Sequence, residues 1–519
     1  MDFREQALKE YNSEEYMAHP GGVNGRGFWN THSIQFTYCP AFAFPVFPKA
    51  NGYLFTLTDE TGKVHTFKAD KPTASLAPIW KDIPTGMNTL KVETLDEEGN
   101  PEFVSGMRTF FKADGFPGRE NLPPRACSYK ECAIKAFRYA FNEEFNQYWL
   151  KHGKPDPYYP HNVYPSKTIS SVISGMISYA KIDPENKEKA LKLATNAADY
   201  MLSITYGKDT AVEGLPPTYS FEGLDFKTVD ETAAMAKNRT NQIMMFYPAS
   251  AGNAYFQLYD ATGDKKYYDA AMAIANYYKN NVLEDGSWYL MLYVDSGKPE
   301  SNNRCASFAI LSFLNNVYKR TGEEIWHTLE TNYFKNLKTK RFERYNWEGQ
   351  FEDIVLSGEY ENLTHIDADS YIEYMTNNLA DEENTIEDAK DLLRFVEDQF
   401  VVWGKFAPIS KHYDPEKDYW YSPAGLEQYY WYVPIDGSTS KIMAQFLNVY
   451  NLTKDPLLLE KAYALGDSIT RMQNKETGVI PTHWMKKDCS ENLENFWINC
   501  HLGVAATMIR LAKIAGEIE

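Results

Sequence analysis

One punctuation mark recurs five times after Ser128 and constrains the fold more than any single residue. A helix rich in aromatic and small residues runs into a short polar turn, and a second amphipathic helix follows at once. The junctions are YAKIDPENKEKA (179–190), YDATGDKKYYDA (259–270), YKRTGEEIWHTL (318–329), TNNLADEENTIEDA (376–389) and YNLTKDPLLLEKA (450–462). One helix before the first junction and one after the last bring the expectation to twelve helices in six hairpins. A repeated unit of this kind buries its apolar face on its neighbours, and a spacing of about 60 to 80 residues exceeds that of the short solenoid repeats. Alternating short and long connections suit a closed ring.

Periodicity puts outer helices near 128–151, 186–203, 265–281, 323–337, 385–402 and 455–473, with a charged face. Inner helices are expected near 166–181, 240–260, 302–320, 367–379, 436–452 and 494–515, carrying Ser and Ala that let helices crowd around an axis. Pro248 should kink the second inner helix or delay its start. Ahead of the helices, GYLFTLTD (52–59), VHTFKAD (64–70), TLKVETLD (89–96) and EFVSGMRTFFK (102–112) alternate or run apolar between DETGK, PTG and DEEGN turns. These read as a small all-β sandwich of immunoglobulin or fibronectin III type, with its first strand in residues 28–44. The expected division is a β-domain over 1–115, a Gly/Pro-rich linker over 116–127 and a helical domain over 128–519.

The chain is acidic, with a formal net charge of -18 over 519 residues, which disfavours nucleic acid and acidic membrane surfaces as partners. No apolar run approaches the roughly 20 residues of a membrane span. The opening MDFREQALKEYNSEEY lacks the pattern of a secretory signal, which fits a cytoplasmic chain or an exported one whose signal has been removed. Cys39, Cys127, Cys132, Cys305, Cys489 and Cys500 have no metal spacing, and the histidines form no HExxH pattern, so no metal is expected. No P-loop occurs and no GxGxxG follows a strand, so no cofactor is expected either.

The mainly α hairpin pattern over 128–515 resembles the (α/α)6 toroids of glycoside hydrolases, polysaccharide lyases and sugar epimerases. The preceding β-sandwich is similar to those fused to carbohydrate-active proteins. The resemblance rests on the hairpin pattern and carries no catalytic residue with it. It implies an oligo- or polysaccharide substrate. If the inner helices are parallel, the long loops 152–165, 204–239, 282–301, 338–366, 403–435 and 474–493 gather on one rim with the inner N-termini.

Those loops hold the candidate site. Aromatic faces suit sugar rings, and Tyr158, Tyr164, Trp288, Trp347, Tyr419, Tyr432, Trp484 and Trp497 are candidates for stacking. The densest chemistry lies in YNWEGQFEDIVLSGEYENLTHIDADSY (345–371), which offers Glu348, Glu352, Asp353, His365, Asp367 and Asp369. Glycoside hydrolysis needs two carboxyl groups, one protonating the leaving oxygen and one activating water or attacking carbon. Apolar Phe351 beside Glu352 and Asp353 could desolvate one of them, whereas Asp367 and Asp369 also fit first-turn acids. Asp436 in YWYVPIDGSTSK is a further acid. The candidate catalytic set is Glu352, Asp353, Asp369, Asp436 and His365. His161, Asn241, Asn303, His483 and His501 are candidate polar contacts, and Arg239 or Arg304 would clamp a uronate carboxylate. The alternatives are a lyase drawing on Tyr158, His161, Asn241, His365 and His501, a sugar isomerase or epimerase, and a noncatalytic glycan-binding protein.

Overall fold

Tight turns with Asp and Gly in the first hundred residues fold the chain into hairpins. In the DETGK turn Asp59 Oδ1 accepts hydrogen bonds from the Thr61 and Lys63 N–H groups and the Thr61 hydroxyl, while Gly62 takes φ +83°. The computed structural model describes residues 2–15, 33–225, 231–353, 360, 362–408, 420–484 and 496–518. Tyr419, Cys489 and residues 28–32 of the expected first strand lie outside the described residues.

Helix α1 (Phe3–Tyr11) precedes a five-stranded sheet and a two-stranded ribbon. The sheet runs β1 (Gln35–Phe36), β7 (Pro101–Lys112), β6 (Gly86–Leu95), β3 (Tyr53–Thr58), β4 (Val64–Ala69). It is antiparallel except where β1 joins β7. The ribbon pairs β2 (Ala41–Ala43) with β5 (Thr73–Ser75). Phe42 of the ribbon packs 5.3 Å from the Phe110 ring and 5.4 Å from Phe36, giving two layers around an aromatic core.

The junctions read from sequence turn one helix into the next. Gly263 and Gly322 adopt left-handed φ of 73° and 68° and donate their N–H groups to Tyr259 and Tyr318 carbonyls. Asp264 and Asp455 cap the helices that follow. The inner helices are α4 (Pro165–Ile182), α6 (Tyr247–Thr262), α8 (Ala309–Thr321), α10 (Ile366–Asn378), α12 (Asp436–Thr453) and α14 (Ile498–Ile514). The outer ones are α2 (Tyr129–Asn142) with α3 (Glu144–His152), then α5 (Lys187–Ser203), α7 (Lys265–Asn280), α9 (Glu324–Leu337), α11 (Thr385–Phe400) and α13 (Pro456–Met472). Each inner helix packs on its outer neighbour, and α14 pairs with α2 from the chain's other end. Around the axis α4, α6, α8, α10, α12 and α14 touch in succession, and α14 returns to α4. The ring is closed, an (α/α)6 toroid. Small residues make this possible: a Cβ on Gly252 of α6 would lie 2.3 Å from the Phe313 ring of α8.

Three boundaries differ from the periodic reading, each for a local reason. The first outer helix breaks at Glu143, whose ψ of 140° is extended, and the Asn146 and Gln147 amides bond the Ala140 and Phe141 carbonyls. The second inner helix starts at Tyr247 rather than near 240. Gln242–Met244 forms β8, paired with β9 (Met291–Tyr293), and Pro248 fits the first turn. The third starts at Ala309 because Asn303 and Cys305 are drawn into backbone bonds with Leu290 and Trp288.

Candidate functional site

The first turns of the inner helices and the loops feeding them line one cavity of about 480 Å³. Lys167 and Ser170 come from α4, Tyr247 and Ser250 from α6, Ala309 from α8, Asp367 and Ser370 from α10, Lys441 from α12, and Asn499 and Cys500 from α14. Phe246, Ser307, Gln350, Phe351, Glu427 and Trp497 reach it from the loops. Connections far apart in sequence therefore meet at one mouth, where helix N-termini bring partial positive charge.

Glu352 anchors the fourth loop. It is 1% exposed, and Lys167 Nζ lies 2.5 Å from Oε1 while the Tyr247 hydroxyl donates to Oε2. Its backbone carbonyl accepts from Arg239 at 2.6 Å and from the Tyr219 hydroxyl at 3.0 Å. Burial pushes the carboxyl upward, but the Lys167 charge and the two donors outweigh it and hold Glu352 below the usual range. Half-buried Asp353 is pushed up to about 7, by burial and then by its charged neighbour Glu352.

Asp367 lines the cavity itself. Burial raises its carboxyl to about 6, against the opposing charges of Arg341 and Lys441. Asp369 and Asp436 do not line it. Asp369 is 2% exposed, with Oδ2 2.6 Å from His365 Nδ1, and burial raises it despite that contact. Asp436 is wholly buried, accepts the Gly437 N–H at 2.6 Å, and burial drives it well above the usual carboxylate range. The second carboxylate in the cavity is Glu427 on β11 (Ala424–Gln428), the middle strand of a three-stranded sheet between β10 (Val401–Val402) and β12 (Trp431–Pro434).

Several expected contacts are core instead. Trp288, Trp347 and Trp484 are at most 2% exposed; the Trp288 indole donates to Tyr278 O and that of Trp484 to Pro481 O, so none can stack on a ligand. Tyr432 is buried with its hydroxyl on Gln399 O. His501 is fully buried, its Nε2 2.8 Å from Ala136 O, and burial depresses its pKa to about 4. Arg239 is committed to Glu352 O, and Arg304 lies over the Tyr289 ring, 3.7 Å from Asp285, so neither is the cavity's cation. Asn241 accepts the Asp295 N–H, and exposed Asn303 carries a backbone bond to Leu290. Tyr164 is buried against Tyr219, 5.9 Å between rings. Trp497 does face the cavity, flanked by His161 at 5.7 Å and His483 at 5.3 Å between ring centroids, whereas Tyr158 is exposed and is not among the lining residues.

Lys167, Lys441, Glu427 and Tyr247 were missed by the sequence reading. Lys167 and Tyr247 sit at helix starts and Glu427 on a strand within the long fifth loop, and none lies in a motif that distinguishes it from a surface residue. Among the described residues, no group of three or more His, Cys, Asp or Glu could hold a metal ion, and no helix is long and apolar enough to cross a membrane.

No family model matches the chain, and no curated protein matches it. Solved structures do. A D-mannose isomerase superposes at a TM-score of 0.50 with 11% identity, covering 74% of this chain and 97% of that one. A family 76 glycoside hydrolase from a bovine Bacteroides thetaiotaomicron strain is 11% identical, with TM-score 0.47 over 91% of this chain and 94% of its own. A cellobiose 2-epimerase from Spirochaeta thermophila is 12% identical, with TM-score 0.47 over 74% and 98%. At these identities the likeness is one of fold: the chain shares the six-hairpin toroid known from carbohydrate-active proteins.

Proposed function

We propose that the chain is a carbohydrate-active enzyme, a glycoside hydrolase that uses Asp367 as proton donor and Glu427 as the second carboxylate. One observation carries this reading: Asp367, held protonated up to about pH 6 by burial, shares a ring-axis cavity with another carboxylate. A donor must keep its proton near working pH yet release it to the leaving oxygen, and a carboxyl raised by burial does both. Glu427 then activates water or attacks the anomeric carbon. Lys441, exposed to the cavity, steadies the negative charge, and Trp497 and Phe351 offer apolar faces to the sugar. The lyase alternative draws less support, because His501 is locked to backbone and Asn241 is held in the β8 turn.

Asp367→Asn and Glu427→Gln should each abolish release of reducing sugar from a glycan panel that the wild type cleaves, while both variants remain folded by circular dichroism. Full turnover by either variant sinks the pair.

A further inference from the structure

The cavity is lopsided. Four of the inner helices contribute only residues near their N-termini, the deepest being Ser250, Ala309, Ser370 and Lys441. Helices α4 and α14 line it much farther down: α4 through Ser171, Ser174, Gly175 and Ser178, and α14 through Leu502, Gly503 and Ala506. At 1.5 Å of rise per residue, the step from Lys167 to Ser178 is about 16 Å. The extension follows the seam where the chain's last helix meets its first inner helix to close the ring.

Below the collar formed by Lys167, Asp367, Glu427 and Lys441, this shaft carries no ionisable side chain among its lining residues. Its walls are small, and three serines keep it polar. A Cβ on Gly503 would meet nothing within 4 Å, so the space beside it is open. At the top of the shaft Ser170 lines the cavity; the residue is 6% exposed, and its buried hydroxyl has no hydrogen-bond partner. A buried hydroxyl left unpaired is unfavourable in the absence of a ligand group or water to satisfy it. At the far end of the ring, polar cross-links lace neighbouring inner helices together: Asn316 to Asn253 at 2.9 Å, Lys319 to Asn378 at 2.9 Å and Arg510 to Asn448 at 2.5 Å.

We infer that the seam between α4 and α14 is a subsite for a terminal, uncharged sugar, which enters end-on past the carboxyl collar and hydrogen-bonds Ser170. This rests on the proposed hydrolytic reading and adds to it that the enzyme works from chain ends on neutral sugar residues. The orphan hydroxyl, the unfilled space at Gly503 and the lack of charge in the shaft select the ligand: polyhydroxylated, compact and neutral.

The test is calorimetric titration of D-glucose, D-mannose, D-galactose, D-xylose and N-acetyl-D-glucosamine into the wild type, Ser170→Ala and Gly503→Leu. The leucine fills the shaft from a helical position with open space around it, and circular dichroism and melting of the unliganded variant check its fold. At least one sugar should bind the wild type, weaken on Ser170→Ala, and weaken by more than about tenfold on Gly503→Leu. No binding of any of the five to the wild type, or equal binding to Gly503→Leu, overturns the shaft. If the wild type cleaves a glycan and Gly503→Leu releases the same terminal sugar at the same rate, the shaft falls and the hydrolytic reading stands. Sugar binding that Gly503→Leu abolishes, without cleavage of any glycoside by the wild type, supports the shaft and sinks the hydrolytic reading.

Discussion

Lys461 Nζ lies 2.8 Å from Glu397 Oε2, with the two side chains only 1% and 2% exposed. The pair joins outer helices α13 and α11, and it also receives the N-terminal elements: Tyr11 and Tyr38 hydroxyls donate to the same carboxylate at 2.5 and 3.0 Å, and the Trp403 indole donates at 3.1 Å. Next to it, Asp398 Oδ1 accepts the Thr37 and Tyr38 backbone N–H groups at 2.6 and 2.7 Å. The β-layered part is thus docked on the toroid through a buried, fully bonded carboxylate pair at Glu397 and Asp398, far in sequence from the strands it holds.

Removing one partner of such a pair leaves an uncompensated buried charge. Lys461→Met should lower unfolding free energy by about 3–5 kcal/mol, and the double variant Lys461→Met/Glu397→Gln should recover part of that loss. Denaturant unfolding of the four species gives the coupling. A double variant no more stable than Lys461→Met removes the ion pair as the cause.

Glycine at 425 is required by a close approach between strand and helix. A Cβ there would lie 2.8 Å from the Thr439 backbone nitrogen and 2.9 Å from the Ser438 carbonyl carbon at the start of α12, and backbone cannot turn aside. Gly425→Ala should therefore destabilise the fold by about 1–3 kcal/mol. It should also displace Glu427, two residues along β11, so turnover should fall even at temperatures where the variant is fully folded. Full activity in a folded Gly425→Ala protein would detach Glu427 from the chemistry.

The ring was legible because its cause is repetitive: aromatic-small helices, polar turns with Gly or Asp, and charged outer faces recur in each unit and fix the hairpins at Gly263 and Gly322. The mouth followed from the same pattern, since parallel inner helices bring their N-terminal loops together. Which loop residues face that mouth was not legible. An aromatic in a long connection fits a sugar or the gap between loop and barrel equally well, and Trp288 and Trp347 fill the gap while Trp497 lines the cavity. Acids divided in the same way. Glu352, Asp353 and Asp367 fall within one short stretch, but the ionisation of Glu352 depends on Lys167, 185 residues away in sequence and brought in by the fold.

The pH dependence of activity follows from Asp367. In the proposed role of proton donor it must be protonated, and with its carboxyl raised to about 6, kcat/KM should fall as pH rises through that value. A profile with no loss between pH 5 and 8 would assign the proton to another group.

Stability gives a second pH signature, in which two buried groups act in opposite directions. His501 in the fold titrates near 4 rather than 6.5, because burial disfavours its charged form. The unfolded chain takes up the proton first, so the stability His501 contributes is present above 6.5 and is lost as pH falls toward 4, by roughly 3 kcal/mol in all. Asp367 runs the other way. Its folded value near 6 exceeds the 3.8 of an unperturbed carboxyl, so its contribution is complete below 3.8 and is lost as pH rises through about 6, again by roughly 3 kcal/mol. Between pH 4 and 6 the two largely offset each other in the wild type. His501→Gln, which keeps a donor and an acceptor for Ala136 and Ile480, should leave a protein that gains stability on acidification across that window. Asp367→Asn should shift the dependence the opposite way, toward loss of stability on acidification relative to the wild type. Denaturant unfolding at pH 4.5 and 6.5 reads both, and slopes of the same sign change for the two variants would show that neither group is buried in the ionisation state argued here.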